Sequence, residues 1–323
     1  MPPEPCHLSN DLEQMHARYV RIDFASTIIR ISGKDAKKFL QGQVTCNLDD
    51  MPIEKCTLGA HCNPQGRIVF LFRLWQYHDD YYLFFPLNMT AIALQALKKY
   101  AVFYKVQLEV QSVNAGIHVS GLCGAQIADL LANDSLLASE PDSFICVNGD
   151  VIITLPGQPV RYLLVSQVNS VIYSKLKQEA PQADLNLWKY LDILSGIPNI
   201  YLETTEKLLP HDINLHQLNG VSFNKGCYTG QEIIARMQYR GKLKNHLHRT
   251  QLITLATLHV GDELYYLSST QEKLSAATIV EICEESHNHY LALVTAADAF
   301  AQPGPSFMTI AKDAVTVMNV TRL

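Results

Sequence analysis

Lys225-Gly226-Cys227-Tyr228-Thr229-Gly230-Gln231-Glu232, continuing as Ile233-Ile234-Ala235-Arg236, sets a thiol beside a lysine directly ahead of a helix start. Thr229 followed three residues later by Glu232 has the form of a capping box. In that motif the hydroxyl accepts from the third helical N–H and the carboxylate reaches back to the N–H of the cap. The spacing predicts a helix from Gly230, with Ile233, Ile234 and Met237 on an apolar side and Glu232, Arg236 and Arg240 at i, i+4 on another, stopped by Gly241. Cys227 then stands two residues before the cap, near the positive end of the helix dipole and close to Lys225; both favour thiolate over thiol. The structural alternative is a small buried cysteine in a turn that needs its two glycines. A turn of that kind has no need of Lys, Cys, Gln and Glu around its glycines, and the local chemistry favours a site.

The run K-G-C-Y-T-G-Q-E with a following A-R resembles the signature of the YgfZ family, folate-binding proteins related to the glycine-cleavage T-protein, an aminomethyltransferase. Other segments extend the resemblance: Ile31-Ser32-Gly33-Lys34-Asp35-Ala36 with Phe39-Leu40-Gln41-Gly42-Gln43-Val44-Thr45, the turn Asn63-Pro64-Gln65-Gly66-Arg67, Ser195-Gly196-Ile197-Pro198, and Pro210 with Asn214-Leu215. Order and spacing agree from Tyr19 to Arg249. The resemblance implies an α+β fold of the T-protein type, with two pseudo-symmetric α+β units and a C-terminal antiparallel β-barrel around a central channel. The expected divisions are residues 1–113 as an N-terminal folate-binding region, 114–241 as a second region carrying the motif, with the first two interleaved in sequence, and 242–323 as the barrel.

With 323 residues the chain exceeds what one core usually supports, so two or three domains of about 100 residues are expected. No window is long and charge-free enough to span a bilayer, and even Ile68 to Trp75 is interrupted by Arg73. The first twenty residues carry prolines and acids rather than a basic start and an apolar run, which predicts a soluble, cytoplasmic protein. The eight cysteines are scattered without the regular spacing of a disulfide scaffold and read as thiols. No C-x-x-C or H-E-x-x-H pattern supports a metal or a resident iron–sulfur cluster, and Walker-type and G-x-G-x-x-G loops are absent.

Along the chain, Asn10 caps a helix from Asp11, 19–31 reads as strands, a helix follows from Asp35, and 58–86 reads as two or three strands. Thr90 caps a helix bearing Ile92, Leu94, Leu97 and Tyr100. Ile29-Arg30-Ile31-Ser32-Gly33 is echoed by Ile117-His118-Val119-Ser120-Gly121, each ahead of a helical pattern, the second with Ile127, Leu130 and Leu131. After Gly241 the β-like runs 264–267, 277–283, 290–295 and 314–320, broken at Gly261-Asp262, Ser286-His287-Asn288 and Pro303-Gly304-Pro305, predict a small antiparallel barrel. The segment Lys242 to His248 alternates, placing Lys242, Lys244, His246 and His248 on one face; with Arg236, Arg240 and Arg249 this makes a basic cluster in a chain of net charge −5. Such a cluster is either a solvated strand face or a site for an anionic ligand. The overall negative charge and the lack of interleaved aromatics speak against direct nucleic-acid binding.

The resemblance implies tetrahydrofolate or a folate derivative as ligand, and iron–sulfur client enzymes, including tRNA-modifying ones, or assembly factors as partners. The residues carried over are Cys227 as reactive thiol with Lys225 favouring its anion, and Asn63, Arg67, Tyr228, Gln231, Glu232 and Arg236 as folate contacts. Asn63 reads equally well as a turn-forming side chain that bonds its own backbone, and Arg67 as a surface turn cation. The T-proteins carry an acid shortly after the glycine turn, whereas 66–72 here has no carboxylate, and Leu194 stands where their pterin-holding glutamate would be. Asp192 lies on another face and reads as an exposed helix residue. These departures speak against aminomethyl transfer; a folate-dependent one-carbon transferase with an atypical acid is the alternative, and a non-catalytic scaffold is a third reading.

Overall fold

The computed structural model describes residues 7–111, 116–127, 140–267, 272–297, 300, 307–308 and 313–323. The chain opens with α1 (His7–Ala17) and β1 (Val20–Asp23), followed by β2 (Ser26–Ser32), α2 (Ala36–Gln41), β3 (Cys56–Cys62), β4 (Ile68–Tyr77), β5 (Asp80–Pro86), α3 (Thr90–Ala101) and β6 (Gln107–Gln111). Then come β7 (Ile117–Cys123), β8 (Phe144–Val147), β9 (Asp150–Leu155), β10 (Arg161–Gln167), α4 (Val171–Glu179), α5 (Leu185–Leu194) and α6 (Gln231–Tyr239). Two five-stranded antiparallel sheets result, in the orders β3-β4-β5-β2-β6 and β1-β7-β10-β9-β8.

The two sheets share one plan. In each, a strand is followed by a three-stranded meander whose last member returns beside the first: β5 beside β2, β10 beside β7. The echoed pentapeptides fall on β2 and β7, the equivalent strands. Beside β2 the edge is filled by β6, but beside β7 it is filled by β1 from the start of the chain, so the second sheet takes its edge strand from the other end of the sequence. Arg21 of β1 also bridges to Gln182, just beyond α4.

Beyond α6 the chain forms β11 (His246–Ile253), β12 (Glu263–Leu267), β13 (Lys273–Ser286), β14 (His289–Ala296), β15 (Phe307–Met308) and β16 (Ala314–Arg322), closed into a barrel in the order β11-β14-β13-β12-β15-β16. Closure removes the exposed edges that an open six-stranded sheet would otherwise leave. The four predicted runs fall on β12, β13, β14 and β16. The barrel has its own interior, including Ile279, Ile282, Ala292 and Val294, while Leu247, Val280, Cys283, Leu291 and Leu293 face outward into the large core under the first sheet.

Several local expectations are corrected. α1 begins at His7 rather than Asp11, because Leu8, Leu12 and Met15, at i, i+4 and i+7, pack together against the second sheet. Thr90 does not cap α3: the chain is already turned at Leu87–Met89, and the Thr90 hydroxyl donates back to the Leu87 carbonyl at 2.6 Å. The basic stripe over 242–248 does not form: β11 starts only at His246, Leu247 and His248 are both buried, and Arg249 donates to the Leu194 carbonyl at 2.8 Å. Leu130, Leu131, the 113/114 boundary and Pro303-Gly304-Pro305 lie outside the described residues.

Candidate functional site

The motif loop is built against the turn Asn63–Arg67. Gly230 has φ +85°, and a Cβ there would lie 2.6 Å from the Asn63 carbonyl oxygen and 3.0 Å from Gly66 Cα. Gly66, with φ +76°, faces the Ile233 side chain. Both glycines are needed because left-handed backbone and this close approach exclude a side chain. The capping box is therefore not made: Gly230 is itself the cap of α6, no side chain bonds a helical N–H there, and the helix begins at Gln231. Glu232 instead pairs with Arg236 at 2.7 Å on the exposed face of the helix.

Most of the side chains carried over by the resemblance are occupied with one another or with the backbone. Asn63 Oδ1 accepts from the N–H groups of Gln65 and Arg67 at 3.1 and 3.0 Å, and its Nδ2 donates to Glu206 at 3.0 Å. The Arg67 guanidinium donates to the Lys207 carbonyl. Lys225 donates to the carbonyls of Val44 and Cys46 at 2.8 and 2.6 Å, and its ammonium lies 5.1 Å from the centre of the Tyr228 ring. Burial holds the Lys225 pKa down to about 8. The Tyr228 ring is buried, and Gln231 reaches the Lys225 carbonyl at 3.5 Å. These contacts fix the loop from both sides and leave Cys227 at its tip. Among the described cysteines, all free thiols, Cys227 is the one that is exposed.

A separate cavity of about 240 Å³ opens where both sheets, α5, the segment 197–201 and β13 meet. Its walls are apolar, formed by Phe72 and Phe85 from the first sheet, Leu155 and Leu163 from the second, and Trp188 of α5. One end is polar, carrying Asp192, Lys189, Asn199, Tyr201 and Glu281. No residue of the 225–236 motif lines it. Asp192 is held by Arg161 at 2.7 Å, and the fully buried Arg161 guanidinium lies 4.7 Å from the centre of the Trp188 ring. Burial raises the Asp192 carboxyl above its ordinary range, with Arg161 pulling the other way. Tyr201 donates to Glu281, and Lys189 approaches it at 3.7 Å. Burial pushes Glu281 up to about 7, opposed by Lys189 and Tyr201 and reinforced by the charge of Asp192.

Asp192 is thus not the exposed helix residue its sequence position suggests. α5 runs between the two sheet cores, so Leu187, Leu191 and Ile193 are all buried, and Trp188 and Asp192, one turn apart, face the cavity. Arg161, Tyr201 and Glu281 were missed in the sequence. The available signal was a lone acid inside the apolar run Ile279-Val280-Glu281-Ile282-Cys283. A register shift between Ile279 and Glu281 explains its direction. Strict alternation would put Glu281 with Ile279 inside the barrel, and the bulge turns it outward while Ile282 points in.

The chain is similar to two curated relatives: a tRNA-modifying protein YgfZ of Vibrio vulnificus, 36% identical over 224 residues, and one of Colwellia psychrerythraea, 32% identical over 222 residues. The aligned stretches cover 69% and 68% of this chain and about two thirds of those proteins, 66% and 67%. The chain belongs to the YgfZ family. A further YgfZ protein, of Edwardsiella ictaluri, is 29% identical over 91% of this chain and 88% of its own length. No protein-family model matches the chain. In structure, this chain is similar to the glycine cleavage system aminomethyltransferase T of Bartonella henselae, with a TM-score of 0.74 at 16% identity, covering 99% of this chain and 90% of that one. The fold is that of the T-protein, as the motifs imply. Among the described residues no helix is long and apolar enough to cross a membrane.

Proposed function

We propose that this member of the YgfZ family binds tetrahydrofolate or a related folate in the cavity between the sheets and the barrel, and supports tRNA modification by sustaining iron–sulfur enzymes, with Cys227 as its reacting thiol. The observation that carries this reading is the cavity itself. A pterin has two flat faces and one edge rich in N–H and C=O groups, and the cavity offers flat apolar walls with a carboxyl-lined end. Folate would supply one-carbon chemistry when bound. The chain's own groups bind and orient it: Trp188 and Phe72 against the ring, Asp192 and Glu281 at its edge. Asn63, Arg67, Tyr228, Gln231 and Lys225 act by holding the loop that presents the thiol, while the guanidinium of Arg236, exposed on α6 and positioned by Glu232, meets a carboxylate of a folate tail.

Two measurements test this. Calorimetric titration with tetrahydrofolate under anaerobic conditions is expected to show saturable binding, retained in Cys227→Ala. The same variant is expected to fail in restoring tRNA modification by iron–sulfur enzymes to a strain lacking the protein. Absence of binding in the wild type, or full restoration by Cys227→Ala, defeats the proposal.

One observation favours a second reading, a folate-dependent one-carbon transferase. The T-protein fold here keeps two carboxyl groups inside the cavity, although neither stands at the sequence position of the T-protein acids. Tetrahydrofolate-dependent loss of the one-carbon unit from an aminomethyl donor, abolished by Asp192→Asn, is the result this reading requires.

A further inference from the structure

We infer that Glu281 selects the ligand ring as an uncharged acid, offering one hydrogen-bond donor and one acceptor to a cyclic amide edge beside the Arg161-paired Asp192. The inference rests on the folate reading of the cavity and deepens it. It names a residue from the barrel, rather than from either sheet, as the group that discriminates the bound ring.

The geometry makes the case. Glu281 is 2% exposed, and the bulge in β13 aims it out of the barrel into the cavity. Two carboxyl groups therefore share the polar end of an apolar cavity, and they are supported unequally. Asp192 has a guanidinium at 2.7 Å that is itself buried, whereas Glu281 accepts from two uncharged donors, the Tyr201 hydroxyl and the Ile282 N–H, and has as its cation only the part-exposed Lys189 at 3.7 Å. Two like charges in one desolvated space favour protonation of the less supported member. The value of about 7 for Glu281 agrees with that ordering.

Few titratable groups face Glu281. From α5 come Lys189 and Asp192, and from the segment 197–201 comes Tyr201, whose hydroxyl burial and Glu281 push well above its ordinary range. β14 opposes it with Leu293, and its own strand places Cys283 two residues on, pushed up to about 12 by burial. Arg73 and Arg161 bear on Asp192. No histidine is among the cavity's lining residues. An uncharged carboxylic acid pairs with a cyclic amide through two parallel hydrogen bonds, one given and one received. Asp192 accepts a further N–H from the exocyclic amine of such a ring.

The experiment is anaerobic tetrahydrofolate titration of the full chain between pH 6 and pH 8.5, with wild type, Glu281→Gln and Glu281→Leu. Gln keeps the donor and acceptor but cannot ionise. Wild-type binding is expected to weaken about tenfold from pH 6 to pH 8, as for release of a single proton near neutrality. Glu281→Gln should hold the pH 6 affinity across the range, and Glu281→Leu should bind weakly throughout. An infrared carboxylic-acid band present at pH 6 and lost by pH 8.5 in ligand-free wild type, absent from Glu281→Gln, supports the same state without any ligand. Wild-type binding that is flat or tightens with pH, or Glu281→Gln that is weak at every pH, overturns the inference while leaving the folate reading intact. Wild type that binds no folate at any pH defeats both.

Discussion

At Lys225 the ammonium satisfies two main-chain carbonyls, those of Val44 and Cys46, across the base of the motif loop. Replacing it with Met leaves both without that donor in a part-buried setting, at a cost of about 2 kcal/mol. Lys225→Met should lower the denaturant midpoint and speed amide exchange over 222–230; an unchanged midpoint would contradict the anchoring role. Glu281 has a different signature. Its folded pKa of about 7 lies above the ordinary 4.5, so the folded state binds the extra proton between these values. Its contribution is fully present below about 4.5 and is lost as pH rises to 7, by about 3 kcal/mol. Glu281→Gln should remove this fall, so its stability advantage over wild type should grow from pH 5 to pH 8 in chemical denaturation. Neither role is written in residue type alone. Lysine next to cysteine suggests thiolate activation, and only the path of its side chain shows that its donors go to the backbone around Cys46.

At the level of elements, the junction between α6 and the turn Asn63–Arg67 depends on two glycines. Gly230→Ala brings a Cβ to 2.6 Å from the Asn63 carbonyl in a left-handed conformation. About 2–3 kcal/mol of destabilisation is expected, with the turn and helix forced apart. Thermal unfolding of this variant, compared with Gly226→Ala, whose added Cβ meets nothing within 4 Å, separates packing from loop entropy. The motif marked the site of this junction and the existence of α6. The capping box failed because Thr229 and Glu232 satisfied a local rule while long-range contact with the Asn63 turn fixed Gly230 as the cap. The strands were legible for the opposite reason: period-two and continuous apolar runs survive any tertiary arrangement that buries them. The bulge in β13, which sets the direction of Glu281, was not, because a register shift is defined only by the partner strand.

Over the whole molecule, the barrel completes the core that the first sheet begins. Leu247, Val280, Cys283, Leu291 and Leu293 pack with residues of β3, β4 and α5 in one buried cluster, and Glu281 closes the cavity between them. A chain ending at residue 241 should therefore expose this face, bind a hydrophobic dye, and lose cooperative unfolding; a folded, dye-negative fragment would show the barrel to be dispensable. The second sheet likewise depends on distant sequence, since β1 supplies its edge.

The sequence by itself determined the family, the α+β sheets with a terminal barrel, the glycine turns, and the cysteine worth testing. These follow from short-range patterns: hydrophobic period, turn chemistry and a compact motif. Tertiary structure alone decided that Lys225 donates to the carbonyls of Val44 and Cys46, that Asp192 pairs with the buried Arg161, and that Glu281 reaches the cavity from the barrel. Each of these is set by which groups, far apart in the chain, share one water-poor space, and burial of that kind has no local signature.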